Sequence, residues 1–156
     1  MATAITTSTG TYSFASVTPG SYTVQVIKPS GETFSSGGST AVTVTSGSAT
    51  TVNAGEYLPS TISGTVFNDL NASGTQQAGD LGLAGQTVNL LAANSTTIVA
   101  TAITTSTGTY SFASVTPGNY TVQVIKPSGE TFSWGGSTAV IATSGSATIV
   151  LSLIHI

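Results

Sequence analysis

Both aspartates of the chain fall within twelve residues, Asp69-Leu70-Asn71-Ala72-Ser73-Gly74-Thr75-Gln76-Gln77-Ala78-Gly79-Asp80. Oxygen-bearing side chains hold positions 1, 3, 5, 9 and 12 of that stretch, Gly74 holds position 6, and Thr75 at position 7 can offer its carbonyl. A hard divalent cation takes about six to eight oxygens at roughly 2.3 to 2.6 Å, so a loop that binds one wraps with alternate side chains inward and turns sharply at a glycine. The spacing is that of an EF-hand-like calcium loop, and it nominates Asp69, Asn71, Ser73, Thr75, Gln77 and Asp80 as ligands of Ca²⁺. Ser73 and Gln77 stand where acidic ligands are stronger, and Asp80 is one methylene shorter than the usual bidentate Glu. Weak affinity follows, on the order of 10⁻⁴ to 10⁻³ M. Two other readings stay open: Mg²⁺ or another ion in the same place, and a solvated Gly-rich loop whose acceptor side chains cap its own turns.

Little else in the composition supports chemistry. The 156 residues are 4 % charged, against about 25 % in an ordinary domain. Lys28 and Lys126 are the basic side chains, and Glu32, Glu56, Asp69, Asp80 and Glu130 the acidic ones. Two lysines cannot neutralise a row of phosphates, so nucleic acid is excluded as a partner. Apolar residues alternate with Ser and Thr and form no run near the 18 residues of a membrane span, so no membrane insertion is expected. There is no Cys, hence no disulfide and no thiolate nucleophile. Ser and Thr abound, but the one imidazole, His155, sits in an anomalous tail, so no activated nucleophile is expected. Asp69 and Asp80 could be cast as a glycosidase pair, but their metal-ligand spacing argues against it. No catalytic residue is nominated, and the chain is not expected to be an enzyme.

The elements that must position the loop are strands. Abundant Gly, Thr and Ser with few helix formers favour short strands joined by tight turns, an all-β chain. An internal repeat organises them. Displaced by 98 positions, Thr3–Val52 matches Thr101–Val150 except at Ser21/Asn119, Ser36/Trp134, Thr43/Ile141, Val44/Ala142 and Thr51/Ile149. Residues 1–58 therefore carry the second half of a repeat and residues 59–150 a whole one. Such a half leaves unpaired strand edges, for which poor order or strand pairing with a neighbour is expected. At 151 the match collapses, and residues 151–156 read as an aberrant tail, a frame change or junction rather than repeat sequence, the other reading being an ordinary final strand of a terminal, atypical repeat. The first ten residues lack the basic and apolar segments of a secretory signal, so any export signal lies outside this chain.

Within the whole repeat, period-two alternation marks strands. Ile62, Gly64 and Val66 share one face of the first, and Val88 and Leu90 face inward from a second over about 86–92. An Asn94-Ser95 turn leads into Thr97–Thr105, and Tyr110 and Phe112 alternate after a turn at Gly108. Thr116-Pro117-Gly118-Asn119 predicts a type II turn, followed by a strand with Tyr120, Val122 and Val124 inward. After a turn at Lys126-Pro127-Ser128-Gly129, strands over 131–133, 138–143 and 147–151 complete about seven or eight, the pattern of a two-sheet sandwich. The aromatics Phe67, Tyr110, Phe112, Tyr120 and Phe132 are its filling.

The segments Ile62-Ser63-Gly64-Thr65-Val66-Phe67-Asn68-Asp69, Gly82-Leu83-Ala84-Gly85-Gln86-Thr87-Val88-Asn89-Leu90, Gly108-Thr109-Tyr110-Ser111-Phe112 and Pro117-Gly118-Asn119-Tyr120-Thr121-Val122, with the loop between the first two, resemble the calcium-binding B-repeat domains of serine-aspartate-repeat surface adhesins of Gram-positive bacteria. The resemblance covers the whole repeat and implies a prealbumin-like, Cna-B-type Greek-key sandwich of Ig-like form, in tandem repeats. It implies a stiff stalk module at the bacterial cell surface, with neighbouring repeats as partners. It also implies Asp69, Asn71, Ser73, Thr75 and Asp80 as ligands, while the family tends to be acidic where this chain has Gln77. Some relatives cross-link a lysine near the domain start to an asparagine, but Thr61–Phe67 holds no lysine. Leu58-Pro59-Ser60-Thr61 is similar to a sortase signal with Ile62 in place of glycine, and is read as an inter-repeat linker. The alternative function is a sandwich that binds carbohydrate or protein through Trp134, whose counterpart in the first copy is Ser36.

Overall fold

The computed structural model describes residues 1–93, 95–129, 131–134 and 136–155, and residues 133, 134 and 152–155 by their backbone alone. Expectations placed on Asn94, Glu130 and the side chains of Trp134 and His155 lie outside the described residues. The chain is all-β, with twelve strands and no helix among the described residues. It divides into two compact units, Met1–Glu56 and Tyr57–Ile156.

In unit 1, strand β1 (Gly20–Gln25) pairs antiparallel with β3 (Ser39–Val44), Gly20 opposite Val44 and Gln25 opposite Ser39. Strand β2 (Thr33–Ser36) pairs with β4 (Gly55–Tyr57), whose first two residues close the unit. Residues 1–19 form no strand. Glu56 on β4 has its carboxyl raised above the ordinary value, by desolvation first, then by a hydrogen bond to and repulsion from Glu32, with Lys28 opposing. A raised acid is most comfortable protonated, so its contribution is present at acidic pH and lost as pH climbs through the raised value. Amide exchange along β2 and β4 is therefore expected to quicken over that interval beyond the intrinsic pH trend, and Glu56→Gln to abolish the excess.

Unit 2 is a sandwich of two four-stranded sheets. Its strands are β5 (Ser60–Asn68), β6 (Thr87–Ala92), β7 (Ile98–Ile103), β8 (Thr109–Val115), β9 (Gly118–Ile125), β10 (Thr131–Trp134), β11 (Ser137–Ala142) and β12 (Ala147–His155). One sheet has the order β10-β12-β5-β8 and the other β11-β9-β6-β7. All neighbours are antiparallel except β12 and β5, which run parallel from Ala147 opposite Thr61 to Ile154 opposite Asn68. The backbone of the anomalous tail thus continues β12 as far as His155.

Alternation delivers one apolar face from each sheet to the shared core. Ile62 and Val66 come from β5, Val88 and Leu90 from β6, Tyr110 and Phe112 from β8, and Val122 and Val124 from β9. Tyr110 and Phe112 meet edge to face, ring centres 5.9 Å apart, a preferred aromatic geometry. Tyr120 and Phe132 pack on the core half-buried. Gly64 is a glycine because of close approach. A Cβ there would stand 1.8 Å from the Val150 carbonyl oxygen and 2.5 Å from the Tyr110 hydroxyl.

Two local expectations are corrected. The reversal before β9 is not a type II turn at Pro117-Gly118, because Gly118 opens the strand itself and the left-handed residue is Ser114, at φ 56°. An extra residue on β8 between Phe112 and Val115 shifts its register against β5 there, a bulge just before the strand ends. Nor is Leu58–Thr61 a free linker. Leu58 accepts from Gly145 N at 3.0 Å and donates its own N–H to Ser144 Oγ at 2.9 Å, while Ser60 is buried and its hydroxyl donates to the Thr143 carbonyl.

Candidate metal loop between β5 and β6

The segment that follows β5 is fixed at both ends before any side chain takes part. Asn68 N donates to Leu81 O at 2.9 Å and Leu83 N to Val66 O at 2.8 Å, and Phe67 bridges antiparallel to Gly82. These bonds bring residue 69 back beside residue 80. Thr104 holds the returning chain, since its hydroxyl accepts from Gln86 N at 2.9 Å and donates to Leu83 O. Phe67 is fully buried on the opposite parity of β5 from Ile62 and Val66, the parity it shares with Asp69.

Inside that clasp lie two turns, closed by Ala72 N to Asp69 O at 3.3 Å and Asp80 N to Gln77 O at 3.1 Å. Asp69 is fully buried and Asp80 nearly so. Asp69 Oδ1 accepts from Ser73 N and Oδ2 from Gly74 N, each at 3.0 Å. Asp80 Oδ1 accepts from Leu70 N at 3.2 Å and Oδ2 from Gln77 N at 2.8 Å, so the last residue of the loop is tied to its start. Gly74 takes φ 77° at the predicted sharp turn, and Ala72 is also left-handed at φ 52°.

All six nominated residues belong to one network. Asn71 Oδ1 accepts from Ser73 N at 3.2 Å, and its Nδ2 donates to Gln77 Oε1 at 3.3 Å. The Ser73 hydroxyl donates to Thr75 O at 3.0 Å. The loop thus gathers two carboxylates, two amide oxygens, a hydroxyl and a backbone carbonyl, a set made wholly of the hard oxygen donors that Ca²⁺ or Mg²⁺ takes. Burying a carboxylate is costly unless its lone pairs are met. Backbone N–H groups meet them here, and the Ser73 hydroxyl also reaches Asp69 Oδ1 at 3.5 Å. The donor set fits a divalent cation. It is also the arrangement of a loop that caps its own turns.

Two polar side chains that tie the fold together escaped the sequence. Thr104, the clasp of the loop, is identical to Thr6 of the first copy, and nothing in its surroundings along the chain marks it. Asn89 is buried on β6 and accepts from Thr101 Oγ1 at 2.8 Å, a polar link between β6 and β7. Elsewhere a groove of about 420 Å³ opens between β7 and β8, lined by Leu90, Ala100, Phe112, Val115 and Tyr120 among others. Tyr120 gives its hydroxyl to Thr116 O at 2.8 Å, and among the described residues lining the groove there is no Asp, Glu, His, Lys or Arg. The side chain of Trp134 lies outside the described residues.

Residues 60–155 thus form a β-sandwich with an oxygen-rich loop after its first strand. The chain belongs to the SdrD B-like domain family, whose model matches residues 60–148. Two curated proteins of Dictyostelium discoideum resemble it: Colossin-B, 36 % identical over 77 residues, and Colossin-A, 37 % identical over 98 residues. The matches take in 49 % and 57 % of this chain but 2 % and 1 % of those proteins. Among solved structures it is similar to GBS52, the minor pilin of Streptococcus agalactiae, with TM-score 0.49 and 14 % identity over 97 % of this chain and 66 % of that one. It is also similar to the Bacillus anthracis TIE protein, with TM-score 0.45 and 16 % identity over 96 % of this chain and 28 % of that one.

Proposed function

We propose that the chain is a spacer of a repetitive extracellular or cell-surface adhesin-like protein, in which each β-sandwich links to neighbouring repeats and is hardened by Ca²⁺. The observation that carries the reading is the single hydrogen-bonded network that joins Asp69, Asn71, Ser73, Thr75, Gln77 and Asp80, with both carboxylates withdrawn from solvent. A bound cation would supply the positive charge that two buried carboxylates favour, and the clasp at Leu81 and Leu83 would pass that stabilisation to β5. Family membership supports the module's structural role, and the long relatives support its place in a larger protein.

An ion held by the folded loop and not by the unfolded chain stabilises by mass action, about 2.7 kcal/mol at a hundredfold excess over the dissociation constant. Calorimetric titration of the full chain with CaCl₂ is expected to show one weak site, on the order of 10⁻⁴ to 10⁻³ M, and a rise in the melting temperature of unit 2. Asp69→Ala is expected to remove both. A melting curve indifferent to millimolar CaCl₂ and to chelator would leave the self-capped loop as the correct reading.

A further inference from the structure

Alternation turns every second residue of the sheet β11-β9-β6-β7 away from the core of unit 2. The registers place Ile103 and Ile125 in a row at one end of that outer face, Ile98 and Ile141 toward the other, and Gln123, Asn89 and Thr101 in a row between them. The four isoleucines are 57 %, 44 %, 54 % and 65 % exposed in that order. None of the outward residues on the four strands is charged. Asn89 is buried although it points outward, and its amide oxygen already accepts from Thr101 Oγ1 at 2.8 Å. Covering the face therefore takes no water from that oxygen. Single exposed isoleucines are ordinary, but four on one uncharged sheet face mark a surface of interaction.

We propose that this face is a self-association surface, on which a second copy of the chain lays the same face of its own unit 2. Charge names the occupant. A charged side chain brought against the face would lose its water and gain no ion partner, so the occupant must itself be uncharged there. This chain, 4 % charged, carries such a surface. Turned about a two-fold axis, the isoleucine ends meet isoleucine ends and the central amides and hydroxyls meet their like, the self-complementary contact of a symmetric pair. Sheets stacked in this way lie about 10 Å apart, close enough for the isoleucines to interdigitate. Area sets the strength. Four strands spaced about 4.8 Å apart, each of about six residues at about 3.3 Å, cover on the order of 400 Å² on each partner. The pair buries about 800 Å² in total, against about 1,200 Å² or more in a stable complex. One pair of units is therefore a weak, rapidly exchanging contact. Several repeats in series would strengthen it, because a second contact between chains already joined forms at a raised effective concentration.

The test follows the isoleucine methyl signals of the isotope-labelled full chain from micromolar to millimolar concentration. Signals of Ile98, Ile103, Ile125 and Ile141 are expected to move together as concentration rises, while those of Ile27 and the buried Ile62 stay still. Ile103→Lys puts on the face a charge that nothing on the facing copy can pair, and is expected to weaken the association at least tenfold. Its unfolding midpoint should stay within a few degrees of the parent, because the side chain it replaces is exposed. Ile141→Thr, which installs the residue that the first copy carries at Thr43, is expected to act in the same direction and more mildly. The proposal is overturned if no methyl signal depends on concentration, or if the lysine variant associates as the parent does. It is equally overturned if Ile98 and Ile103 move while Ile125 and Ile141 do not, the signature of pairing along the β7 edge instead of across the face. No residue of the metal loop takes part, so the outcome is separate from that of the calcium titration.

Discussion

Replacing Gly64 by valine is expected to cost unit 2 about 3 kcal/mol or more. The new Cβ would stand 1.8 Å from the Val150 carbonyl oxygen, which is backbone and cannot swing aside, and 2.5 Å from the Tyr110 hydroxyl. Relief requires β5 to move away from β12 or Tyr110 to leave the core. Either motion breaks parallel pairing between the two strands or reopens the packing of Ile62 and Phe112. For a unit of this size each kcal/mol is worth about 4 to 8 °C, so thermal unfolding should shift downward by on the order of 15 °C. Ser63→Ala, one residue away and half-buried, is the control and should move the midpoint by no more than a few degrees. Equal midpoints for the two variants would mean that β12 does not lie where Gly64 is needed.

The second large effect is a contrast between twins. Phe112→Ala removes a buried ring from the sandwich and is expected to cost about 3 to 5 kcal/mol, while Phe14→Ala, the same change in the same local sequence, should cost less than about 1 kcal/mol. The difference lies in what covers the ring, since Phe112 shares the core with Ile62 of β5 and Leu90 of β6 and Phe14 has no such strands beside it. Residue-resolved amide exchange reads both at once. Faster exchange in β5, β6 and β9 is expected in the first variant, and unchanged exchange in β1 and β3 in the second. Equal losses would show that unit 1 buries Phe14 as unit 2 buries Phe112.

The same twins mark how far the sequence could be read. The Thr7 and Thr105 turns are alike, with Thr7 N to Thr11 O at 2.8 Å and Thr105 N to Thr109 O at 2.9 Å, because a Gly-containing turn is set by its own residues. The strands beside them are not alike, because strand pairing is supplied from elsewhere in the chain and propensity alone does not close it. Alternation found β5, β6 and β9 where one face is buried, and it located Val88, Leu90, Val122 and Val124 in the core. It could not find Asn89, which is buried out of phase on a central strand. Pro117-Gly118 misled because Pro-Gly is a common signal of a type II turn, whereas Gly118 already belongs to β9 and the left-handed residue nearby is Ser114. The sharp turn at Gly74 was legible, since a glycine turn is a local pattern and Gly74 takes φ 77°. The clasp by Thr104 was not, because it joins residues 18 and 21 positions apart.

The side-by-side course of β5 and β12 has one more consequence. They are the first and last strands of unit 2, and they run parallel through eight opposed residue pairs, from Thr61 with Ala147 to Asn68 with Ile154. Tension applied at the start of one and the end of the other drags them lengthwise, so their rungs share the load in shear instead of parting one at a time as a zipper would. A tether strung from such units would yield abruptly and at high force, not by gradual stretching.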